Sequence, residues 1–174
     1  MKKTFRIAAA GVVTALSVVL LQLGSLIWVL AYLMPLLCGM IMIVLAESAG
    51  KKTAWLVYAS VSILSVVMLN DKESVLLYIL FFGYYPIIRE NIDKLASKPI
   101  RWAIKLLAFN AGVVAAELLC TYVFGIPFDD FLGKWGIVLL LALANFLFAV
   151  YERLLKMFIV IYNRKYKSKI EKYF

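Results

Sequence analysis

Apolar positions fall in long blocks along this chain. From Ile7 to Ala46, forty consecutive positions carry no charged side chain, with Lys2, Lys3 and Arg6 before the block and Glu47 closing it. A helix needs about 20 residues at ~1.5 Å rise to cross ~30 Å of hydrocarbon, so this block is long enough for two crossings. Leu23-Gly24-Ser25 near its midpoint is the best turn signal, which predicts a helical hairpin over 7–23 and 26–46. Further apolar stretches at 53–69, 75–88, 102–124 and 136–151 raise the predicted spans to six. Fourteen residues make 75–88 the shortest, and by length alone it fits either a full crossing or half of a re-entrant hairpin with 53–69. Burying Asn70-Asp71-Lys72-Glu73 at membrane depth is costly, which favours two crossings.

The pattern therefore predicts one all-α membrane domain over 1–174 with six transmembrane helices. Composition agrees: 65% of residues are hydrophobic and the mean hydropathy is +0.94. The basic opening lacks a small-residue cleavage site and runs straight through Gly24-Ser25 into Trp28, so it reads as an uncleaved first span.

Charge sets the orientation. If the N-terminus is cytoplasmic, seventeen of the 19 Lys and Arg residues lie inside and only Lys72 and Lys134 lie outside. A split this uneven predicts that both termini are cytoplasmic, in the plasma membrane of a bacterium. The net charge of +9 is then mostly topological, because the cations flank spans instead of lining one nucleic-acid-binding face. The basic tail 163–174 interleaves Lys with Tyr166, Tyr173 and Phe174, which suits an anionic inner leaflet or a solvated anchor.

Several chemistries are missing. The chain has no histidine, which removes Ser–His and Cys–His dyads and the commonest metal ligand and general base. Cys38 and Cys120 are isolated within apolar stretches and read as small hydrophobes. No phosphate-binding glycine loop occurs, so ATP is not bound through a P-loop. We expect neither an enzyme nor a bound cofactor or metal.

Glu117 is the one acid placed deep in a predicted span. At ~100° per residue, Asn110, Glu117 and Thr121 share a face of the fifth helix. Glu117 lies seven residues, ~10 Å, from the outer end at Phe124, and Asn145 lies nine residues, ~14 Å, below Gly136 on the sixth helix. Two readings stand. One is a ligand pocket open to the outside, with Glu117, Asn145 and Thr121 as polar groups and Trp135 or Tyr78 as stacking walls. The other is a structural interhelical hydrogen bond. Asn110 is better suited to helix packing. On the first helix Gly11 and Ala15 form a small-x-x-x-small pair, which lets another helix approach closely, from this chain or a partner.

These pieces resemble the S components of energy-coupling factor (ECF) transporters, the small substrate-binding membrane subunits of vitamin-importing ABC systems. The resemblance rests on the Ala-rich opening Arg6-Ile7-Ala8-Ala9-Ala10-Gly11, on Met34-Pro35-Leu36-Leu37-Cys38-Gly39 leading to Ala49-Gly50-Lys51-Lys52, and on Phe81-Phe82-Gly83-Tyr84-Tyr85-Pro86-Ile87-Ile88 before a charged segment. It implies capture of a vitamin-like solute from outside, no ATPase activity of its own, and docking onto a T subunit that carries two cytoplasmic ATPases. Docking in that family uses small residues on the first helix, here Ala8, Gly11 and Ala15, with Val12 interrupting a strict alanine spacing. A membrane scaffold or regulatory subunit of a larger complex is the competing reading.

The topology makes a direct prediction. Cysteines placed at Asp71 and Asp129 react with an impermeant thiol reagent outside intact cells, and one at Asp93 does not; labelling at Asp93 from outside overturns the orientation.

Overall fold

The computed structural model describes residues 2–26, 28–95, 97–125 and 133–165, with side chains at 2, 28, 29, 133–138, 140 and 165 left undescribed. The described residues are all helical, without a strand. In chain order they form α1 (Lys2–Gly24), α2 (Trp28–Ala49), α3 (Lys51–Met68), α4 (Lys72–Leu77), a π-helical segment (Tyr78–Phe82), α5 (Tyr85–Asp93), α6 (Lys98–Tyr122) and α7 (Gly133–Lys165). The α4–π–α5 stretch is one interrupted rod, so the described residues form six rods.

Among the described residues, four stretches are long and apolar enough to cross a membrane: Lys3–Gly24, Leu30–Ala49, Lys72–Asp93 and Lys98–Tyr122. The third extends the 75–88 stretch to membrane length by adding helix at both ends. Of the other two rods, α3 has 18 residues and opens on Lys51-Lys52. α7 has 33 residues, ~50 Å, and continues past the Tyr151 boundary read from hydropathy.

Large apolar side chains cover the outside. Ile7, Leu56, Val67 and Leu107 are 73%, 70%, 78% and 74% exposed. Such a continuous apolar surface is foreign to a water-soluble monomer and suits a bundle surrounded by hydrocarbon.

The interior has two apolar clusters. The first, from α1, α2, α3 and the α4–π rod, is built on Leu21, Cys38, Met42, Val57 and Tyr78. The second joins α2, the π segment, α5, α6 and α7 through Phe81, Tyr85, Phe109, Phe148 and Leu155. In it, Phe81 stacks on Tyr85 with ring centres 4.6 Å apart, and Phe109 stacks on Phe148 at 4.7 Å.

The rod between α4 and α5 belongs to both clusters, and its irregular backbone explains three close approaches. Gly83 N–H donates to the Tyr78 carbonyl at 2.7 Å, a π-type bond. The Tyr58 hydroxyl donates to the Ile79 carbonyl at 2.9 Å. Pro86 has no N–H to offer the Phe82 carbonyl one turn earlier, and that oxygen faces α2 at Gly39. A Cβ on Gly39 would lie 2.8 Å from the Phe82 oxygen and collide with the Tyr151 hydroxyl; one on Gly112 would lie 2.9 Å from the Leu80 carbonyl. Small residues therefore admit α2 and α6 to the rod's exposed carbonyls.

Gly11, by contrast, has no atom within 4 Å of where its Cβ would stand. We predict that Gly39→Ala lowers stability by about 1–3 kcal/mol through overpacking, while Gly11→Ala changes it little. Denaturant titration of both variants in micelles checks this; equal midpoints would remove Gly39 from the packing argument.

Candidate functional site

α6 and α7 run antiparallel, and their contacts follow a regular register. Lys156 Nζ lies 5.9 Å over the Trp102 ring, Lys105 meets Glu152, Phe109 stacks on Phe148, and Asn110 meets Asn145. The amides of Asn110 and Asn145 are paired reciprocally, Nδ2 to Oδ1 at 2.8 and 3.0 Å. Each Nδ2 also donates to a carbonyl one turn back in its own helix, Leu106 and Leu141, at 2.8 Å. Asn145 is thus held in an interhelical amide pair with Asn110.

At one end of this interface lies a buried ring of four charges. Glu152, fully buried, accepts from Arg89 Nε at 3.0 and 3.1 Å, from Lys105 Nζ at 2.6 Å and from the Tyr85 hydroxyl at 2.7 Å. Arg89 and Lys105 also each reach Asp93, at 3.3 and 2.5 Å. Two cations therefore bridge two acids in a closed circuit joining α5, α6 and α7. Arg101 extends it by donating from a terminal guanidinium nitrogen to the Asp93 carbonyl at 3.0 Å.

The sequence reading takes Glu117 as the one acid deep in a span; Arg89 and Glu152 stand just past the ends of 75–88 and 136–151, and Lys105 near the start of 102–124. The structure buries Glu152 more deeply than Glu117, because the ring supplies the partners that a sequence window does not show. Helical phase carries the missed signal: Glu152 follows Tyr151 and precedes Leu155 on the buried face, and Lys105 lies four residues before buried Phe109. Because Asp93 belongs to the ring, exposed Lys94 is the cleaner position for an inward-facing cysteine.

A crevice runs between α2, the α4–π rod, α6 and α7, with a volume of about 100 Å³. Its walls are mostly aromatic and aliphatic: Tyr32, Phe82, Phe109, Phe148 and Tyr151, with Leu36, Leu77, Val113, Ala144 and Leu147. Glu117 is its one ionisable acid. On α6, Glu117 lies seven residues beyond Asn110, and on α7 Tyr151 lies six residues past Asn145 in the opposite direction. Glu117 and Tyr151 thus mark opposite ends of the crevice lining.

Glu117 is half-buried, and its carboxylate makes no hydrogen bond or ion pair with any described residue. Around it the end of the bundle is acidic. The Tyr32 hydroxyl donates to Glu73, and Asp71 accepts from the Ser74 hydroxyl and backbone N–H. Lys72 turns away, with Nζ on the Val66 and Leu69 carbonyls at 3.0 and 2.7 Å.

The other sequence candidates are dispersed. Thr121 is half-buried one turn beyond Glu117. Tyr78 is fully buried in the first cluster, away from the crevice, and its hydroxyl has no hydrogen-bond partner among the described residues. The Trp135 side chain lies outside the described residues. Ala8, Gly11 and Ala15 share one exposed face of α1. A larger groove of about 520 Å³ lies on the flank between α1, α2 and α7; its lining is apolar except for Ser48, and it offers no group to orient a polar ligand.

Fold and site thus define an all-helical bundle with membrane-length helices and a narrow aromatic crevice holding one carboxylate that has no partner among the described residues. No family model, no curated protein and no solved structure matches the chain.

Asn145→Leu removes the amide pair without touching Glu117 or the ring. It is expected to cost about 1–2 kcal/mol, the scale of interhelical hydrogen bonds in membrane bundles, measured by unfolding in mixed micelles. A cost near zero would mean that Asn110 finds another partner.

Proposed function

We propose that this chain is the substrate-capturing subunit of an ECF-type importer in a bacterial plasma membrane, crossing it six times with both termini in the cytoplasm. Glu117 carries this reading: it is an acid with no partner among the described residues, in an aromatic crevice, near the end with few Lys and Arg residues. An ionisable side chain at membrane depth is expensive and normally serves a ligand, a cavity or a partner. A solute with a positively charged or hydrogen-bond-donating group and a slender apolar body matches the crevice. At about 100 Å³ the space is below the ~300–1,000 Å³ of typical ligand sites, so it suits part of a solute or a form that widens on binding.

The T subunit and its two ATPases would supply the driving force. Support for such a partner comes from α1, the least buried of the four membrane-length helices. Ala8, Gly11 and Ala15 leave an open face there, and a Cβ on Gly11 would meet no atom within 4 Å. Close helix approach in a bilayer depends on such small residues.

Two experiments test this reading. Mass spectrometry of the gently purified protein identifies the solute, and Glu117→Gln is expected to weaken its binding by about 2–5 kcal/mol if a cationic group pairs with the carboxylate. Equal affinity in the variant and the parent would return Glu117 to a structural role. Replacing Gly11 and Ala15 together with leucine should leave ligand binding intact and abolish co-purification of the ATPases and cellular uptake. Loss of binding as well would place those residues in internal packing. Neither ligand nor ATPases co-purifying with the parent would favour a scaffold.

A further inference from the structure

We propose that Glu152, acting through the four-charge ring, is the positioning residue for the Glu117 crevice: it fixes the register of α7 against α6. As a statement about ligand binding, this rests on reading the crevice as the solute site.

α7 supplies Ala144, Leu147, Phe148 and Tyr151 to the crevice wall, and Glu152 is the next residue along. From the register shared by Lys105–Glu152 and Asn110–Asn145, Glu117 lies level with about position 140 of α7. The ring is therefore twelve residues, ~18 Å, from the carboxylate whose surroundings it sets.

Apolar contacts cannot hold that register alone. Hydrocarbon is as apolar as leucine, so sliding one apolar face along another in lipid meets little resistance. A one-turn slip of α7 would carry Glu152 ~5.4 Å away from Arg89, Lys105 and Tyr85, and would leave buried charges on both sides without partners. It would also move Ala144 and Phe148 out of the crevice and other residues in. Burial follows the same division: along α7, none of the described side chains before Phe148 is buried, whereas Phe148, Tyr151, Glu152, Leu155 and Tyr162 are. The ring lies within the anchored half.

The test reads register directly and without ligand. With Cys38 and Cys120 replaced by alanine, cysteines replace Asn110 and Asn145, which removes the amide pair. The ring is then the remaining buried polar contact between α6 and α7 among the described residues. Disulfide formation is followed by mass spectrometry in three backgrounds, and the slipped pairs 110 with 141 and 110 with 149 are measured alongside.

The 110–145 disulfide should dominate in the parent and in Lys105→Arg, which keeps the cation. Lys105→Met combined with Glu152→Gln leaves Arg89 and Asp93 as a neutral pair, so it preserves charge balance and guards against a variant that fails to insert. There the 110–145 disulfide should fall several-fold and the slipped pairs should appear. Unchanged 110–145 crosslinking in that double variant overturns the proposal. Slippage with intact solute binding would instead retain the ring as the register element and count against the crevice as the binding site.

Discussion

One carboxylate, that of Glu152, organises the end of the bundle where α5, α6 and α7 meet. Transferring an isolated ion into a low-dielectric interior costs several kcal/mol even after relaxation, and mutual attraction offsets this only when geometry is good and the remaining donors and acceptors are satisfied. The ring meets those conditions. Glu152 accepts from a guanidinium, an ammonium and a phenol, and each cation has Asp93 as a second acceptor. Within the ring two cations face two acids, and Arg101 and Lys156 lie at its edge, the latter 3.6 Å from Glu152. Such a circuit adds less to net stability than to uniqueness, because few arrangements of three helices bring all four groups together.

A second constraint comes from the interrupted rod. The aromatic block from Phe81 to Tyr85 and Pro86 prevents a regular helix, so carbonyls that would otherwise be consumed internally point sideways. Tyr58 caps one of them. Gly39 and Gly112 let the backbones of α2 and α6 close over two others. The position of Tyr151 follows, since its ring packs on Phe82 at 5.3 Å and its hydroxyl rests against Gly39. The floor of the crevice is thus set by backbone geometry and its α7 wall by charge.

Much of this was legible in the chain. The charge-free block over 7–46 foretold α1 and α2, the turn at Leu23–Ser25 lies where α1 ends, and the stripe through Asn110 and Glu117 correctly set a polar face on α6. What escaped has a common cause. The ring joins residues 12, 47 and 63 positions apart, and a hydropathy reading pairs no residue with another so distant, so Lys105 stood near the start of one span and Glu152 just past the end of the next without a link between them. Asn145 was visible as a buried amide, but its choice between solute and Asn110 depends on the facing register of two helices. The π segment was likewise invisible, although Gly83 and Pro86 within an aromatic run mark where a regular helix would fail.

The two ends of the α6–α7 interface handle charge in opposite ways, and this contrast bears on function. Around Glu152 every charge is answered within the chain, and the site is closed. Around Glu117 the nearby acids Asp71 and Glu73 are occupied with Ser74 and Tyr32, Lys72 is turned onto carbonyls, and Glu117 has no hydrogen bond or ion pair among the described residues. The same chain forms a complete ion network ~18 Å away. A fold that satisfied Glu117 internally would be indifferent to what enters the crevice. A carboxylate without a partner among the described residues is the feature on which the proposed capture of a solute would act.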